Sequence, residues 1–385
     1  MNSFIKSCMN TFLSVLPKSK KKIVFESNSD FCDNSRAFYE YLIQNNYNET
    51  YKLIWCVKNP EAFCGYNKKN VIFTSFRNKR YFLSYLFHIG TAKTVVYSHA
   101  TPPFINTDKQ TVACLWHGTP LKHMDYQQTG KQPFSFLLSA SKWCTTALSD
   151  CFHIKEDMIK VMGYPRCDQL FECNDSLKRL GVDKSKYKKV ILWMPTFRQS
   201  TELNIIDSSR TQTGLPLVYT MESLTKLNAL LTEQNVLMII KLHPLQDLQG
   251  ADLLSLSNIK TLTNVELDKQ KVQLYHLVEN SDILLTDYSS IYFDYLLLDR
   301  PIGFIIDDIE EYNHNRGFVV ENPLDYMPGH HIRMEQELNN FINDVMNDID
   351  SYSAKRKEIN AIMNEFTDNQ SCKRLADYLG FVRPS

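Results

Sequence analysis

Several features that would indicate particular classes of protein are missing from this sequence. No run of apolar residues approaches the roughly 20 that are needed to cross a bilayer. The 43 basic residues are balanced by 43 acidic ones, so no overall positive field attracts nucleic acid. The ten cysteines include no C-x-x-C pair, which argues against a zinc ribbon and favours reduced thiols in a cytoplasmic protein. We therefore expect a folded, mostly soluble chain without a nucleic-acid partner.

What is present indicates two α/β domains. A length of 385 residues suits two domains of ordinary size. Short runs rich in β-branched and aromatic residues alternate with helical segments, which predicts parallel sheets. The predicted strands are 23–25, 53–57, 71–73, 94–97, 111–116, 190–193, 236–241, 283–286 and 302–306, and the predicted helices are 35–44, 79–87, 223–233, 291–298 and 371–379. We place the first domain at 22–175 and the second at 176–385, with the C-terminal helix in the second.

Residues 1–21 form an amphipathic segment with a basic flank. Apolar side chains recur at helical spacing up to Leu16, and Pro17 then ends the pattern before a cluster of lysines. The lysines follow the apolar stretch rather than precede it, so a secretory signal is not expected. Two interpretations remain open: a helix packed on the body of the protein, or a helix that contacts an anionic membrane surface.

Histidines follow predicted strands in both halves of the chain. In LWHGTPLK (115–122), His117 comes directly after a strand and before a turn at Gly118. The carboxyl ends of parallel strands face the crevice where α/β sheets bind ligands, so His117 is a candidate general base. In IIKLHP (239–244), Lys241 and His243 repeat this pattern and are candidates to stabilise phosphoryl charge. A structural histidine and a ligand-free His-Pro turn are the respective alternatives.

The segment DILLTDYSSIYFD (282–294) contains a strand followed by a helix that starts near Ser289 or Ser290. Such a turn offers backbone N–H groups, hydroxyls and a helix N-terminus to a phosphate. The acidic Asp287 and Asp294 could orient a ribose or polyol hydroxyl beside it. The alternatives are an ordinary serine N-cap and plain helix stabilisation by a carboxylate.

Two further turns carry arginines. WMPTFR (193–198) ends with Arg198, and GYPRCD (163–168) contains Arg166; each guanidinium could hold a phosphate with two hydrogen bonds or pair with a carboxylate. Together, five strand-end turns with basic or hydroxyl groups favour a substrate that contains a diphosphate.

These motifs resemble a known family. LWHGTPLK, GYPRCDQL, WMPTFR, KLHP, and TDYSSIYFDYLLLDRPIGF with NRGF are similar, in this order, to the motifs of the CDP-glycerol glycerophosphotransferases of teichoic acid and capsule synthesis. The resemblance runs from about Lys22 to the C-terminus. It implies a GT-B-like fold, in which two Rossmann-like domains with parallel sheets face each other across a cleft. The acceptor is expected on the N-terminal side and CDP-glycerol mainly on the C-terminal side.

The resemblance also implies a reaction. Glycerol phosphate, or a related polyol phosphate, is transferred from CDP-glycerol to a hydroxyl of a lipid-linked envelope glycan, and CMP is released. A single transfer is favoured, because large polymerases of the family carry an additional N-terminal region. The expected catalytic residues are His117 and His243, and the expected donor-binding residues are Trp116, Gly118, Thr119, Arg166, Pro195, Thr196, Arg198, Lys241, Asp287, Ser289, Ser290 and Asp294. No metal ligand and no cofactor is expected, with magnesium left open. The expected location is the cytoplasm, peripheral on the inner face of the membrane.

One stretch departs from the family pattern. Residues 327–332 are MPGHHI where the family usually has a proline-glycine-proline turn, so His330 and His331 put the identity of the donor polyol in doubt. Two other functions compete with the transferase. One is a different GT-B nucleotide-sugar enzyme, such as a glycosyltransferase or an epimerase. The other is a non-catalytic subunit of envelope assembly.

Overall fold

The chain folds into two compact α/β units. The structure is a computed structural model that describes residues 3–124, 133–196, 199–200, 205–206, 213–242 and 256–384. The first unit contains the described parts of Met1–Thr119, Asp125–Gln169 and Glu365–Ser385. The second contains Pro120–Met124 and the described parts of Leu170–Asn364. Elements are numbered in chain order.

The first unit is built on a seven-stranded parallel sheet. Its strand order is β3-β2-β1-β4-β5-β6-β7. The strands are β1 (Ser19–Glu26), β2 (Lys52–Cys56), β3 (Val71–Thr74), β4 (Ala92–Tyr97), β5 (Thr111–Cys114), β6 (Phe136–Ser139) and β7 (Ile159–Val161). The helices are α1 (Ser3–Val15), α2 (Asp33–Gln44), α3 (Lys79–Thr91), α4 (Lys142–Phe152) and α13 (Ser371–Tyr378). The order reverses between β1 and β4, and the loops at their carboxyl ends therefore diverge there.

The second unit contains a six-stranded parallel sheet of order β12-β11-β8-β13-β14-β15 and a small β10-β9 ribbon. The strands are β8 (Lys189–Met194), β9 (Gln199–Ser200), β10 (Ile205–Ile206), β11 (Val236–Lys241), β12 (Ile259–Leu262), β13 (Ile283–Thr286), β14 (Ile302–Ile305) and β15 (His330–Ile332). The helices are α5 (Ser176–Arg179), α6 (Met221–Gln234), α7 (Asn264–Lys269), α8 (Leu274–Asn280), α9 (Ile291–Tyr295), α10 (Ile309–Asn315), α11 (Glu335–Met346) and α12 (Ser353–Met363). Here the reversal lies between β8 and β13.

The apolar runs form these strands because parallel strands are covered on both faces. Ile23, Val24 and Phe25 of β1 are fully buried, as is Trp55 of β2. In the second unit, the fully buried Trp193 of β8 lies in a core with residues of β11, β13, α6 and α11. Each predicted strand is present, whereas β6, β7, β9, β10, β12 and β15 were not predicted.

The C-terminal helix α13 lies in the first unit, whereas the sequence placed it in the second domain. The Asp168 carboxylate explains its position, since it accepts hydrogen bonds from the backbone N–H groups of Ser371 (2.9 Å) and Cys372 (2.8 Å). These are N–H groups that the first turn of a helix leaves without intrahelical partners. Arg374 adds a bond from Nε to the Met162 carbonyl (2.9 Å).

Helix α1 packs on the first unit and also exposes apolar side chains. Leu13 is buried, and it lies so close to Gly90 of α3 that a side chain at position 90 would collide with it. Phe12 and Val15 remain 62% and 69% exposed on the same helix. Searched across the described residues, no helix is both long and apolar enough to span a bilayer.

Candidate active site

In the first unit, His117 lies in the loop after β5, one strand away from the point where the strand order reverses. Trp116 has a φ of 57° and Gly118 a φ of 145°, so the backbone turns sharply on both sides of the histidine. A positive φ costs a tryptophan about 1–3 kcal/mol and persists only where neighbours enforce it. Asn34 does so here, because its side-chain amide donates to the carbonyls of Trp116 (2.9 Å) and Leu115 (3.3 Å).

A charged cluster surrounds this turn. Arg166 donates from Nη1 to the Asp33 Oδ1 (2.9 Å) and to the backbone carbonyl of His117 (2.9 Å). The other Asp33 oxygen lies 3.4 Å from Nε2 of His99, and the His99 and His117 rings have centroids 4.8 Å apart. The predicted residue Arg166 thus lies beside the predicted base His117, held by a carboxylate and by the loop itself.

The protonation states follow from burial and from this cluster. Burial and, to a smaller extent, the neighbouring His99 and Arg166 together lower the pKa of His117 to about 3, although Asp33 opposes the shift. Burial also lowers the pKa of His99. Burial alone would raise the pKa of Asp33, but Arg166 and the two imidazoles hold it below its usual range. At neutral pH the cluster therefore contains two neutral imidazoles, a carboxylate and a guanidinium.

Two predicted donor-binding residues of this turn are packed inside the unit. The Trp116 ring is buried edge-on against Phe152, with centroids 4.7 Å apart. The Thr119 hydroxyl is also buried and lies 3.4 Å from the Cys144 sulfur. The side chains of Trp116 and Thr119 therefore support the loop through packing inside the unit. Gly118 has no side chain, so its predicted contact with the donor would be made by its backbone.

The chain enters the second unit directly after Thr119, and there it pairs with another sequence motif. Lys122 forms an antiparallel bridge with Phe318, and the His123 N–H donates to the Gly317 carbonyl (3.1 Å). The segment after the histidine turn is thereby held against NRGF (315–318). Sequence alone gave no indication that these two motifs meet.

At the reversal point of the second sheet, Asp287 joins the two central strand ends. It follows β13, is fully buried, and its Oδ2 accepts from Thr196 through the backbone N–H (2.8 Å) and the hydroxyl (2.7 Å). Thr286 adds a bond from its hydroxyl to the Met194 carbonyl (2.8 Å). The predicted residues Thr196 and Asp287 are thus brought together, with Pro195 between Thr196 and the end of β8.

The serine turn after β13 differs from the expected helix start. The predicted helix is divided into α9, of five residues, and a 3-10 turn (Leu296–Leu298). Ser290 is the residue before α9 and makes no side-chain capping bond, so the ordinary N-cap interpretation does not hold. Ser289 and Ser290 are half-buried. Asp294 points elsewhere, because it is buried and accepts a hydrogen bond from the Tyr275 hydroxyl.

The KLHP motif is described only in part. Lys241 ends β11, is 4% exposed, and donates from Nζ to the Leu242 carbonyl (2.8 Å). Burial lowers its pKa to about 8, against the opposing effect of two carboxylates on α7. His243 and Arg198, both predicted to act in the site, lie outside the described residues.

The last three residues of the MPGHHI departure form the edge strand β15. His330 packs against the rings of Phe341 and Tyr352, each with centroids 5.0 Å away. His331 contacts the Met327 carbonyl at 2.9 Å through Nε2. Both histidines therefore have packing partners within the second unit. Within the described ranges, no group of three or more histidine, cysteine or acidic side chains is arranged to hold a metal ion.

Sequence reasoning missed Asp33 and His99. His99 follows β4 in the sequence SHATPP, which is the same signal of a strand-end histidine before a turn that identified His117. It could therefore have been found. Asp33 begins α2, and nothing in its local sequence indicates that it contacts Arg166, 133 positions further along the chain.

Comparisons with known proteins show the family to which this chain belongs. A family model described as "CDP-Glycerol:Poly(glycerophosphate) glycerophosphotransferase" matches residues 8–380. The teichoic acid poly(glycerol phosphate) polymerase of Bacillus spizizenii W23 is 33% identical over 344 residues, which is 82% of this chain and 81% of that protein. The protein of the same name from Bacillus subtilis 168 is 29% identical over 79% of this chain, but this chain covers only 41% of it.

A solved structure of a histidine-to-alanine variant of the wall teichoic acid polymerase TagF is also similar. It has a TM-score of 0.74 at 24% sequence identity, over 97% of this chain and 93% of that one. At this identity the similarity concerns the fold, and it confirms the GT-B-like α/β class predicted from the sequence.

Proposed function

Because the chain belongs to the CDP-glycerol:poly(glycerophosphate) glycerophosphotransferase family, we propose that it transfers glycerol phosphate from CDP-glycerol to a hydroxyl group in teichoic acid synthesis. The acceptor oxygen forms a bond to the phosphorus that carries the glycerol, and the bond from that phosphorus to the bridging oxygen breaks. CMP leaves with the electron pair. The acceptor proton passes to an enzyme base.

The observation that carries this proposal is the histidine turn of the first unit. His117 follows a parallel strand and is neutral at neutral pH, as a general base must be. Its pKa of about 3 makes it a weak base in the free enzyme. The Asp33 carboxylate raises that pKa, and an anionic substrate would raise it further, because negative charge nearby stabilises the imidazolium.

The turns of the second unit are proposed to bind the donor. Asp287 holds Thr196 at the reversal point, where open α/β sheets bind ligands. The hydroxyls of Ser289 and Ser290 follow directly, and the Ser290 hydroxyl does not cap α9. We propose that they donate hydrogen bonds to the diphosphate, with Lys241 and His243 supplying positive charge. Donor and general-base roles thus come from different turns.

Glycerol is proposed as the donor polyol rather than ribitol. The family description and both named relatives specify glycerol phosphate, and the departure at His330 and His331 lies in the packed edge strand β15. The number of units added is a separate question. The Bacillus spizizenii relative, of which this chain covers 81%, is named a polymerase. Product masses decide between one addition and many.

A lipid-linked acceptor at an anionic membrane surface is part of the proposal. Phe12 and Val15 of α1 are exposed, as are Leu83 and Phe87 of the neighbouring α3. Lys22 lies 4.1 Å from the Phe87 ring centre. Apolar side chains beside lysines are typical of surfaces that bind anionic bilayers. Sedimentation with phosphatidylglycerol vesicles should be lost on replacing Phe12 and Leu83 with serine; unchanged sedimentation of that variant would contradict this part.

The central experiment measures CMP or UDP release with CDP-glycerol, CDP-ribitol and UDP-sugars, each with lipid-linked disaccharide acceptors, and identifies products by mass. We expect CMP release and a mass gain of glycerol phosphate with CDP-glycerol. His117→Ala should abolish transfer, whereas His314→Ala, at an exposed position on α10, should not. UDP release would indicate another GT-B enzyme. Donor binding without turnover by the unaltered protein would support a non-catalytic subunit.

A further inference from the structure

The carboxylate of Asp33 is shared by two partners. Its Oδ1 accepts from the Arg166 guanidinium at 2.9 Å, and its Oδ2 lies 3.4 Å from the His99 imidazole. Asp33 has a φ of 58°, an uncommon conformation for aspartate, at the first residue of α2. Side chains from two other strand-end loops therefore meet at this partly buried acid.

The imidazoles of His99 and His117 lie almost side by side, with an interplanar angle of 33° and centroids 4.8 Å apart. Nδ1 of each ring is buried without a hydrogen-bond partner among the described residues. Among the described residues, no carboxylate is therefore bonded to Nδ1 of His117, unlike in the histidine of a serine-protease triad. The negative charge of Asp33 acts on the His117 imidazole and raises its pKa.

We propose that Asp33 and His99 are positioning residues for the base His117. The carboxylate stabilises the imidazolium that forms when His117 takes the acceptor proton, and His99 holds the carboxylate in place. This inference rests on the proposed function.

The charges in the cluster give the physical reason. Protonated His117 would lie beside the Arg166 guanidinium, and two cations in a buried site repel each other strongly. The Asp33 carboxylate offsets this repulsion. Burial keeps His99 neutral at neutral pH, so His99 does not itself consume the negative charge. Asp33, Arg166, His99 and His117 are the charged and titratable groups that act on one another here.

Two substitutions of His99 separate orientation from proton transfer. His99→Gln places an amide nitrogen where Nε2 stood, so the variant retains a hydrogen-bond donor towards Asp33. The shorter side chain of His99→Asn cannot reach the Asp33 carboxylate. We expect His99→Gln to keep most of the wild-type kcat and His99→Asn to lose about tenfold to a hundredfold, with the KM for CDP-glycerol unchanged. Equal and large losses in both would overturn the orienting role of His99.

Asp33→Asn tests the carboxylate. We expect kcat to fall about a hundredfold at neutral pH, and to rise with pH in the alkaline range where the wild type is flat. The reason is that transfer with a weakened base depends on the ionised fraction of the acceptor hydroxyl. The matched control is Asp30→Asn, three residues earlier in the same loop, whose carboxylate accepts from the Lys58 N–H (2.6 Å). The control should retain the wild-type rate and pH profile.

The outcomes distinguish this inference from the proposed function. If the unaltered protein releases no CMP from CDP-glycerol, the proposed function fails. If it does, and His117→Ala is inactive while the Asp33 and His99 variants match the wild type, only the inference fails. A rate of Asp33→Asn that is reduced equally at every pH would also overturn it, because that is the result of a purely structural role. The His99 pair remains decisive if Asp33→Asn does not fold.

Discussion

Replacing Asp287 should destabilise the second unit, because its buried carboxylate connects the ends of two central strands. The sequence assigned Asp287 to the donor, whereas the structure shows a fully buried carboxylate that accepts two hydrogen bonds from Thr196. Hydrogen bonds to a charged group contribute about 1.5–3 kcal/mol each. Asp287→Ala should therefore destabilise the second unit by about 3–6 kcal/mol, which corresponds to a melting temperature lower by roughly 10 °C or more.

Thr196→Val removes only the hydrogen bond from the hydroxyl, so it should lower the free energy of unfolding by about half as much as Asp287→Ala. Because both substitutions break the same contact, the double variant should be less destabilised than the sum of the single ones, by about 1–3 kcal/mol. Differential scanning calorimetry of the four proteins gives this coupling energy. Additive effects of the two substitutions would refute the stabilising contact between Asp287 and Thr196. A raised KM for CDP-glycerol in Asp287→Asn at an unchanged melting temperature would instead support the predicted donor-binding role of Asp287.

Three other predictions concern single positions. Gly329→Ala should destabilise the protein by about 2–3 kcal/mol in chemical denaturation, because its Cβ would collide with the Ile302 backbone carbonyl, which cannot move away. Burial raises the pKa of Glu26 from 4.5 to about 7, so its protonated form is favoured by folding; this stabilisation is complete below pH 4.5 and lost as pH rises through 7. Urea midpoints should therefore fall over this range by an amount equivalent to about 3 kcal/mol, and Glu26→Gln should flatten the curve. Ser290→Ala should raise the KM for CDP-glycerol about tenfold or more, as expected for one lost bond to a charged phosphate, with an unchanged melting temperature because Ser290 caps nothing.

The sequence predicted the strands better than the contacts between loops. Buried parallel strands are continuous apolar runs, so a strand such as 236–241 can be recognised from its local sequence alone. The short strands β6, β7, β12 and β15 have three or four residues each, too few for a clear pattern. The C-terminal helix was placed in the wrong unit because the Asp168 contact that holds it joins residues more than 200 positions apart.

The motif residues were found, but their roles were not all visible. A histidine after a strand indicates chemistry by residue type and position, and His117 is where the pattern put it. An acidic residue gives no such indication, because a carboxylate serves equally well as a ligand or as a hydrogen-bond acceptor for backbone. Only the structure shows that Asp168 caps a helix, Asp287 holds Thr196, and Asp294 accepts from Tyr275.

Residues that bond to protein groups and residues proposed to act on substrate should respond differently to substitution. Asp168, Asp287 and Asp294 bond to protein groups in their own units, so substitutions there should first be seen as lost stability. In the proposed function, the groups of these turns that act on the substrate are the His117 imidazole and the hydroxyls of Ser289 and Ser290, so their substitutions should first be seen in kinetics. Asp33 is the exception among the acids, because its charge acts on His117, the proposed base. It should therefore be the acidic residue whose loss changes the pH dependence of transfer.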